Sequence, residues 1–181
     1  MSQHLSWMRS LGAVIMGLCA ASWEIAVRPF LPDWFSLPAL MPLLVLLLVG
    51  STRFRGYLVT IVGALCLQIY MVGVQDFLII RWLLVFFLLD LLGTRLLTNR
   101  SFYVTVALAS VGYVLERLTS FLFGTMAWHL GLSPYPWSFQ QAPLWGFIWT
   151  IVLAGMGFII LAFFTKRFST NVTRSAHTRF S

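Results

Sequence analysis

Charged residues are scarce in this chain. Aspartate and glutamate together number 5 among 181 residues, and charged side chains make up 9% of the sequence, whereas hydrophobic residues make up 60%. A water-soluble domain carries charge at about a quarter of its positions. The composition therefore excludes an ordinary soluble domain and predicts an all-α integral membrane protein.

Cysteine pairs and enzyme motifs are also missing. The two cysteines, Cys19 and Cys66, lie inside apolar runs, where their spacing matches neither a disulfide framework nor a metal site. The HExxH, GxSxG and glycine-rich phosphate-binding motifs are absent from the sequence. We therefore expect a protein that is not an enzyme and that holds no cofactor or metal.

The net charge of +7 comes from short basic clusters that separate apolar runs. Such clusters lack the basic domain or the aromatic-basic motif of a nucleic-acid-binding protein, so no nucleic-acid partner is expected. Membrane orientation accounts for the excess, because short cytoplasmic loops are enriched in lysine and arginine.

Apolar runs predict six membrane spans, of which most approach the roughly 20 residues that a helix needs to cross a bilayer. The central feature is Arg81–Phe123, a predicted transmembrane hairpin of two apolar arms joined by the polar turn TRLLTNRS. The other predicted spans are Leu11–Leu31, Pro38–Gly50, Tyr57–Val74 and Ala142–Thr165. Residues 1–167 would form a six-helix transmembrane domain and residues 168–181 a basic cytoplasmic tail.

The cations predict the orientation of this bundle. Most of them fall in loops on a single side, namely Arg9, Arg53, Arg55, Arg95, Arg100, Lys166, Arg167, Arg174 and Arg179. The positive-inside rule then places both termini in the cytoplasm, as an even number of spans requires. We expect a multi-pass protein of the bacterial inner membrane that is surrounded by lipid.

Acidic and basic residues inside the spans are the candidate site, because a charge in hydrocarbon must be paired, solvated or neutralised. Helical spacing places Glu24 and Glu116 at the ends of two faces of small residues, and it predicts one layer of compensating charges in the outer half of the bundle. The predicted network comprises Glu24, Arg28, Arg81, Glu116 and Arg117, with Asp90 lower and nearer to Arg95. Such pairs either fix helix register or bind a substrate, an ion or a partner.

An aromatic segment follows the hairpin at residues 125–141. It is too mixed to span a membrane and too apolar to lie free in water, so we expect a short helix and a proline-bounded turn along the outer interface. Trp128, His129 and Trp137 in this segment either anchor the chain at the interface or form a contact surface for an outer partner.

The order of these features resembles the rod-shape-determining membrane protein family MreD. The resemblance rests on the loop LPDWFSLP, the basic turn STRFRG and the segment LLTNRSFYVTVALASVGYVLERL, in which Tyr113 and Glu116 lie close together. It departs from the family at Ser36-Leu37-Pro38 and at Gln68, where the family tends to have Arg-Pro-Asp and an acid. The resemblance implies a non-enzymatic scaffold subunit of the peptidoglycan elongation machinery, the elongasome, which would bind an MreC-like protein and, through it, a class B penicillin-binding transpeptidase.

The MreD family is also similar in fold to the six-helix S components of energy-coupling-factor transporters. The alternative expectation is therefore a substrate-binding S component or another small-solute transporter subunit. In that case the spacing of Ala13, Gly17 and Ala21 would provide a docking face for the transporter module, and the charged layer would bind the solute.

Overall fold

Six α-helices account for most of the residues that the computed structural model describes, which are residues 2–32, 38–50, 53–70, 77–96, 101–132 and 144–177. In chain order the helices are α1 (Ser2–Ser22), α2 (Leu40–Gly50), α3 (Arg53–Tyr70), α4 (Leu78–Leu96), α5 (Phe102–His129) and α6 (Leu144–His177). The predicted all-α class is confirmed for these residues.

Three of the helical segments are long and apolar enough to cross a membrane: Ser10–Val27, Phe102–His129 and Leu144–Phe163. They identify a membrane protein. The apolar helix α2 has 11 residues and is about 16 Å long, which is shorter than a hydrocarbon core of roughly 30 Å.

Helix α2 lies at the centre of the bundle and contacts each of the other five helices. Leu40, Leu44 and Val45 are fully buried, and Met41 is 3% exposed. A helix that is apolar on nearly all sides is stable only inside a packed bundle or in lipid. The short helix α2 therefore forms the core around which the longer helices pack.

Contacts at opposite ends of neighbouring helices define their directions. Helices α3 and α4 are antiparallel, because Arg53 at the start of α3 contacts Asp90 and Gln68 near its end contacts Leu78. Contacts of the same kind make α5 antiparallel to both α4 and α6, and make α2 parallel to α6. The defining pairs are Arg81 with Glu116, Leu89 with Gly112, Phe102 with Phe158, Tyr113 with Phe147, Leu46 with Gly157, and Gly50 with Leu161.

Helix α1 changes its geometry before it reaches α2. It continues from Ser22 into a π-helical turn at Trp23–Val27 and a 3₁₀ turn at Arg28–Phe30. Pro29 lacks the backbone N–H that an α-helix would need at this position. The end of the first helix is therefore irregular, and the carboxyl-bearing residue Glu24 lies within the irregular part.

Helix α5 is longer than the predicted arm that ends at Phe123. It runs to His129 because the residues from Thr125 to His129 include no helix breaker. Gly131 then adopts a positive φ of 69°, and the Leu132 N–H donates to the Ala127 carbonyl. A glycine in the left-handed conformation with such a hydrogen bond is a common end of an α-helix. The first part of the aromatic segment thus continues α5, and the expectation of a separate interfacial helix there was wrong.

Helix α6 also exceeds its predicted end at Thr165. It continues to His177, so that most of the predicted tail of residues 168–181 is helical, while residues 178–181 lie outside the described residues. The segment after Thr165 has neither glycine nor proline, and nothing in its sequence interrupts the helix.

The predicted faces of small residues do form the helix contacts. On α5, Thr105 and Ala109 are fully buried, and Gly112 packs against Met41 and Leu89. On α6, Gly146, Thr150 and Ala154 form a further buried face of small residues. Small side chains let helix backbones approach closely in lipid, where no hydrophobic effect drives helices together.

A matched pair of glycines on α1 tests this packing. A Cβ atom at Gly17 would lie 3.1 Å from the Val59 carbonyl oxygen of α3, whereas a Cβ atom at Gly12 would meet nothing within 4 Å. We expect Gly17→Leu to lower the free energy of unfolding by about 1–3 kcal/mol, because overpacking forces the two backbones apart.

Gly12→Leu is the control for this prediction, since both changes raise helix propensity equally. The free energies are measured by titrating the protein in mixed micelles with a denaturing detergent. Equal stabilities of the two variants would show that the contact between α1 and α3 is not close.

Candidate functional site

Glu116 is the centre of the charged cluster that the structure assembles. Its carboxylate Oε1 lies 3.8 Å from Arg81 Nη2 of α4, and its Oε2 lies 3.3 Å from Nε of the adjacent Arg117. The Ser120 hydroxyl donates a hydrogen bond of 3.2 Å to Oε1. One carboxylate thus contacts two guanidinium groups and a hydroxyl.

This cluster is largely removed from solvent. The exposed fractions of the side chains are 15% for Glu116, 11% for Arg81 and 20% for Arg117. The contact of Arg117 is ionic without hydrogen-bond alignment, because its buried Nε–H has no hydrogen-bond acceptor among the described residues. At such burial a carboxylate is stabilised mainly by the positive charges beside it.

An aromatic ring supports the second guanidinium. The Arg117 guanidinium lies over the Tyr113 ring at 5.2 Å from its centroid, in a cation–π contact. The same ring packs edge-on against Phe147 of α6, with the two centroids 5.5 Å apart. The cluster therefore links α4 to α5 by charge, and its aromatic part links α5 to α6.

Glu24 forms hydrogen bonds with backbone N–H groups, a contact that the sequence did not predict. Its Oε1 accepts a hydrogen bond of 2.8 Å from the Ala39 N–H and a longer one of 3.5 Å from the Leu40 N–H. These N–H groups belong to the beginning of α2, where the first turn has no intrahelical acceptors and the helix dipole is positive. Glu24 therefore caps the central helix from the end of α1.

The structure does not bring Asp90 to this cluster. Asp90 lies nine residues after Arg81 on α4, which is about 14 Å along the helix, and its Oδ1 contacts Arg53 Nε at 3.3 Å. The side chain of Arg95, which the sequence placed near Asp90, lies outside the described residues. Arg53 is 65% exposed and Asp90 13% exposed. The pair therefore connects α3 to α4 at the end of the bundle at which α3 begins.

The remaining sequence-predicted residues lie near the other end of α5 or outside the description. Trp128 and His129 are both exposed at the end of α5, and the centroids of their rings are 4.8 Å apart. Trp137 and the side chain of Arg28 lie outside the described residues. A contact surface at Trp128, His129 and Trp137 stays a prediction.

Two further polar residues cap helices, and sequence reasoning did not assign them this role. Gln68 of α3 accepts a hydrogen bond of 3.0 Å from the Leu78 N–H at the start of α4. Ser101 caps α5 through a bond of 3.4 Å from the Val104 N–H. A serine before an apolar run is a sequence signal for a helix cap, so the role of Ser101 could have been predicted. The role of Gln68 could not, because Gln68 contacts a different helix.

The described residues contain no group of three histidine, cysteine, aspartate or glutamate side chains that could hold a metal ion. A comparison with models of protein families, with curated proteins and with solved structures finds no match for this chain. The function is therefore inferred from the site and its setting.

The Glu116 cluster yields a stability prediction. We expect Glu116→Ala to lower the free energy of unfolding by about 3–5 kcal/mol, because Arg81 would keep its buried charge and lose the carboxylate. The double variant Arg81→Met/Glu116→Met should lose less than the sum of the losses in the single variants Arg81→Met and Glu116→Met, which complete a cycle with the parent protein. Detergent titration of the four proteins gives the coupling energy, and strictly additive losses would contradict an interaction between the two side chains.

The cap on α2 yields a local prediction. Glu24→Ala should accelerate hydrogen exchange at the Ala39 and Leu40 amides about 5- to 30-fold, which corresponds to the roughly 1–2 kcal/mol that a helix cap contributes. Glu24→Gln is the matched control, because its amide oxygen still accepts from both N–H groups. Exchange rates are measured by mass spectrometry, and unchanged rates in Glu24→Ala would contradict the assignment.

Proposed function

We propose that the protein is a non-enzymatic scaffold subunit of the cell-shape and peptidoglycan elongation machinery, similar to MreD. In this proposal six helices span the bacterial inner membrane with both termini in the cytoplasm. The partners are an MreC-like protein and, through it, a class B penicillin-binding transpeptidase complex. The protein acts by presenting packed helix surfaces and performs no chemistry.

The arrangement around Glu116 is the observation that carries the proposal. A catalytic acid or base must reach its substrate and exchange a proton with it. Glu116 instead lies between Arg81 and Arg117 in a largely buried position, where its charge is compensated by residues of the same chain. This arrangement is suited to fixing the relative positions of α4 and α5.

The helix directions support the proposed orientation. Arg53 at the start of α3 contacts Asp90 near the end of α4, and Gly50 at the end of α2 faces Leu161 of α6. These contacts put Arg53, Arg55 and the residues that follow Phe163 at the same end of the bundle. Such a concentration of cations at one end agrees with a cytoplasmic location of that end.

The alternative function, an S component, would require a free docking face on α1 and a cavity for a solute. The proposed docking residues are buried within the bundle, since Ala13 is 3% exposed, Ala21 is fully buried, and Gly17 faces Val59 of α3. This burial favours the scaffold.

Affinity purification from the native membrane in a mild detergent tests the proposal. Mass spectrometry of the proteins and small molecules in the same eluate should find an MreC-like coiled-coil protein or a penicillin-binding transpeptidase in stoichiometric amounts. A vitamin-sized ligand or an ATPase module in the eluate would refute the scaffold function and support the transporter subunit.

Two variants make this experiment specific. Glu116→Ala should lose most of the partner protein, because the spacing of α4 and α5 depends on the cluster. Val114→Ala is the control, since Val114 lies on the same helix and is 58% exposed. Retention of the partner by Glu116→Ala at normal protein levels would show that the cluster does not maintain the partner surface.

A further inference from the structure

Helix α6 is too long for the membrane that it crosses. Its apolar segment Leu144–Phe163 has 20 residues and matches a hydrocarbon core of roughly 30 Å. The helix then continues for 14 more residues, from Phe164 to His177, which adds about 21 Å. We refer to residues 164–177 as the α6 extension.

Contacts with two neighbouring helices show where the extension leaves the bundle. Gly50, the last residue of α2, faces Leu161, and Phe102, the first residue of α5, packs against Phe158 at 6.2 Å between ring centroids. Both neighbours therefore end or begin at the level of residues 158–161. The α6 extension continues beyond this level, at the end of the bundle that carries Arg53.

The residues on the outward-facing side of α6 change from apolar to basic at this level. Met156, Ile160 and Phe163 are 55%, 53% and 60% exposed and follow one another at steps of four and three residues. The same steps continue to positions 167, 170 and 174, which are occupied by arginine, threonine and arginine. In a continuous helix these positions share one face, so the row that faces lipid becomes basic as it leaves the hydrocarbon.

The charge of this segment has one sign. Residues 164–181 include Lys166, Arg167, Arg174 and Arg179 and no aspartate or glutamate. At about 100° per residue, the positions of Phe168 and Val172 lie about 100–160° around the helix axis from those of Lys166, Arg167 and Arg174, whereas the position of Phe164 lies about 60–80° from those of the two arginines. A basic helix with an apolar side is typical of segments that bind membrane surfaces.

We propose that the α6 extension binds the anionic headgroups of the lipids that surround α6, with the positions of Lys166, Arg167 and Arg174 forming the contact. The basic row is continuous with the lipid-facing row, so lipid is what it meets first. The extension has no acidic residue that could pair with its cations, and an anionic headgroup supplies the negative charge. The inference requires only that α6 crosses the membrane, and it does not depend on the proposed scaffold function.

Fluorescence of the purified full-length protein in lipid vesicles tests the inference. The probe is an environment-sensitive dye on Thr170→Cys in a Cys19→Ala/Cys66→Ala background. We expect emission at a shorter wavelength in vesicles that contain phosphatidylglycerol than in vesicles of phosphatidylcholine alone. Raising the salt from about 0.05 M to about 0.5 M should abolish the difference, because the Debye length falls from about 14 Å to about 4 Å.

Charge variants separate lipid binding from a change of fold. Each neutralised cation should weaken the association about fivefold, so Lys166→Gln/Arg167→Gln/Arg174→Gln should show no phosphatidylglycerol effect. The charge-preserving variant Lys166→Arg/Arg167→Lys/Arg174→Lys should respond as the parent protein does. Helicity from circular dichroism should be the same for both variants.

Two results would overturn the inference. One is identical emission in the two kinds of vesicle, which would leave an acidic protein partner as the target of the extension. The other is a phosphatidylglycerol effect that persists in the neutral triple variant. Neither result bears on the MreC-like partner, because the vesicles contain no other protein.

Discussion

Polar groups that lie in hydrocarbon must be satisfied by the chain itself, and this constraint governs the structure more than any single contact does. Helix beginnings are the most demanding places, since their first N–H groups have no intrahelical acceptor. Glu24 serves α2, Gln68 serves α4 and Ser101 serves α5. Two of these three caps come from the helix that precedes the capped one, so that capping also fixes how neighbouring helices meet.

The same constraint explains the buried hydroxyl groups on the small-residue faces. Thr60, Thr105 and Thr150 are fully buried, and each hydroxyl donates to the carbonyl four residues earlier on its own helix, at 2.8, 3.2 and 2.6 Å. A threonine bonded in this way behaves towards the adjacent helix as a small apolar residue. It therefore permits close packing without an unsatisfied polar group between the helices.

The sequence predicted the helix faces better than it predicted the contacts of the charges. Burial of Ala109, Gly112 and Thr105 follows from the 3.6-residue period, which is a local property that residue spacing reveals. The partners of Glu24 and Asp90 are non-local, because Ala39 and Arg53 lie 15 and 37 positions away in the chain. The residue pattern within one helix does not show which end of a neighbouring helix will lie next to a given side chain. For that reason the sequence did not predict that Glu24 caps α2.

The contacts of the two buried glutamates limit which surfaces are available to a partner. Glu116 is neutralised by two arginines and Glu24 is bonded to the start of α2, so both carboxylates contribute to the internal geometry of the bundle. In the proposed scaffold, a partner would contact surfaces that the bundle leaves uncovered, such as the end of α5 at Trp128, which is exposed. A substitution inside the cluster changes these surfaces only indirectly, by shifting α4 against α5. The α6 extension begins beyond the level at which α2 ends, so a substitution there should leave the packing of α2 against α6 intact.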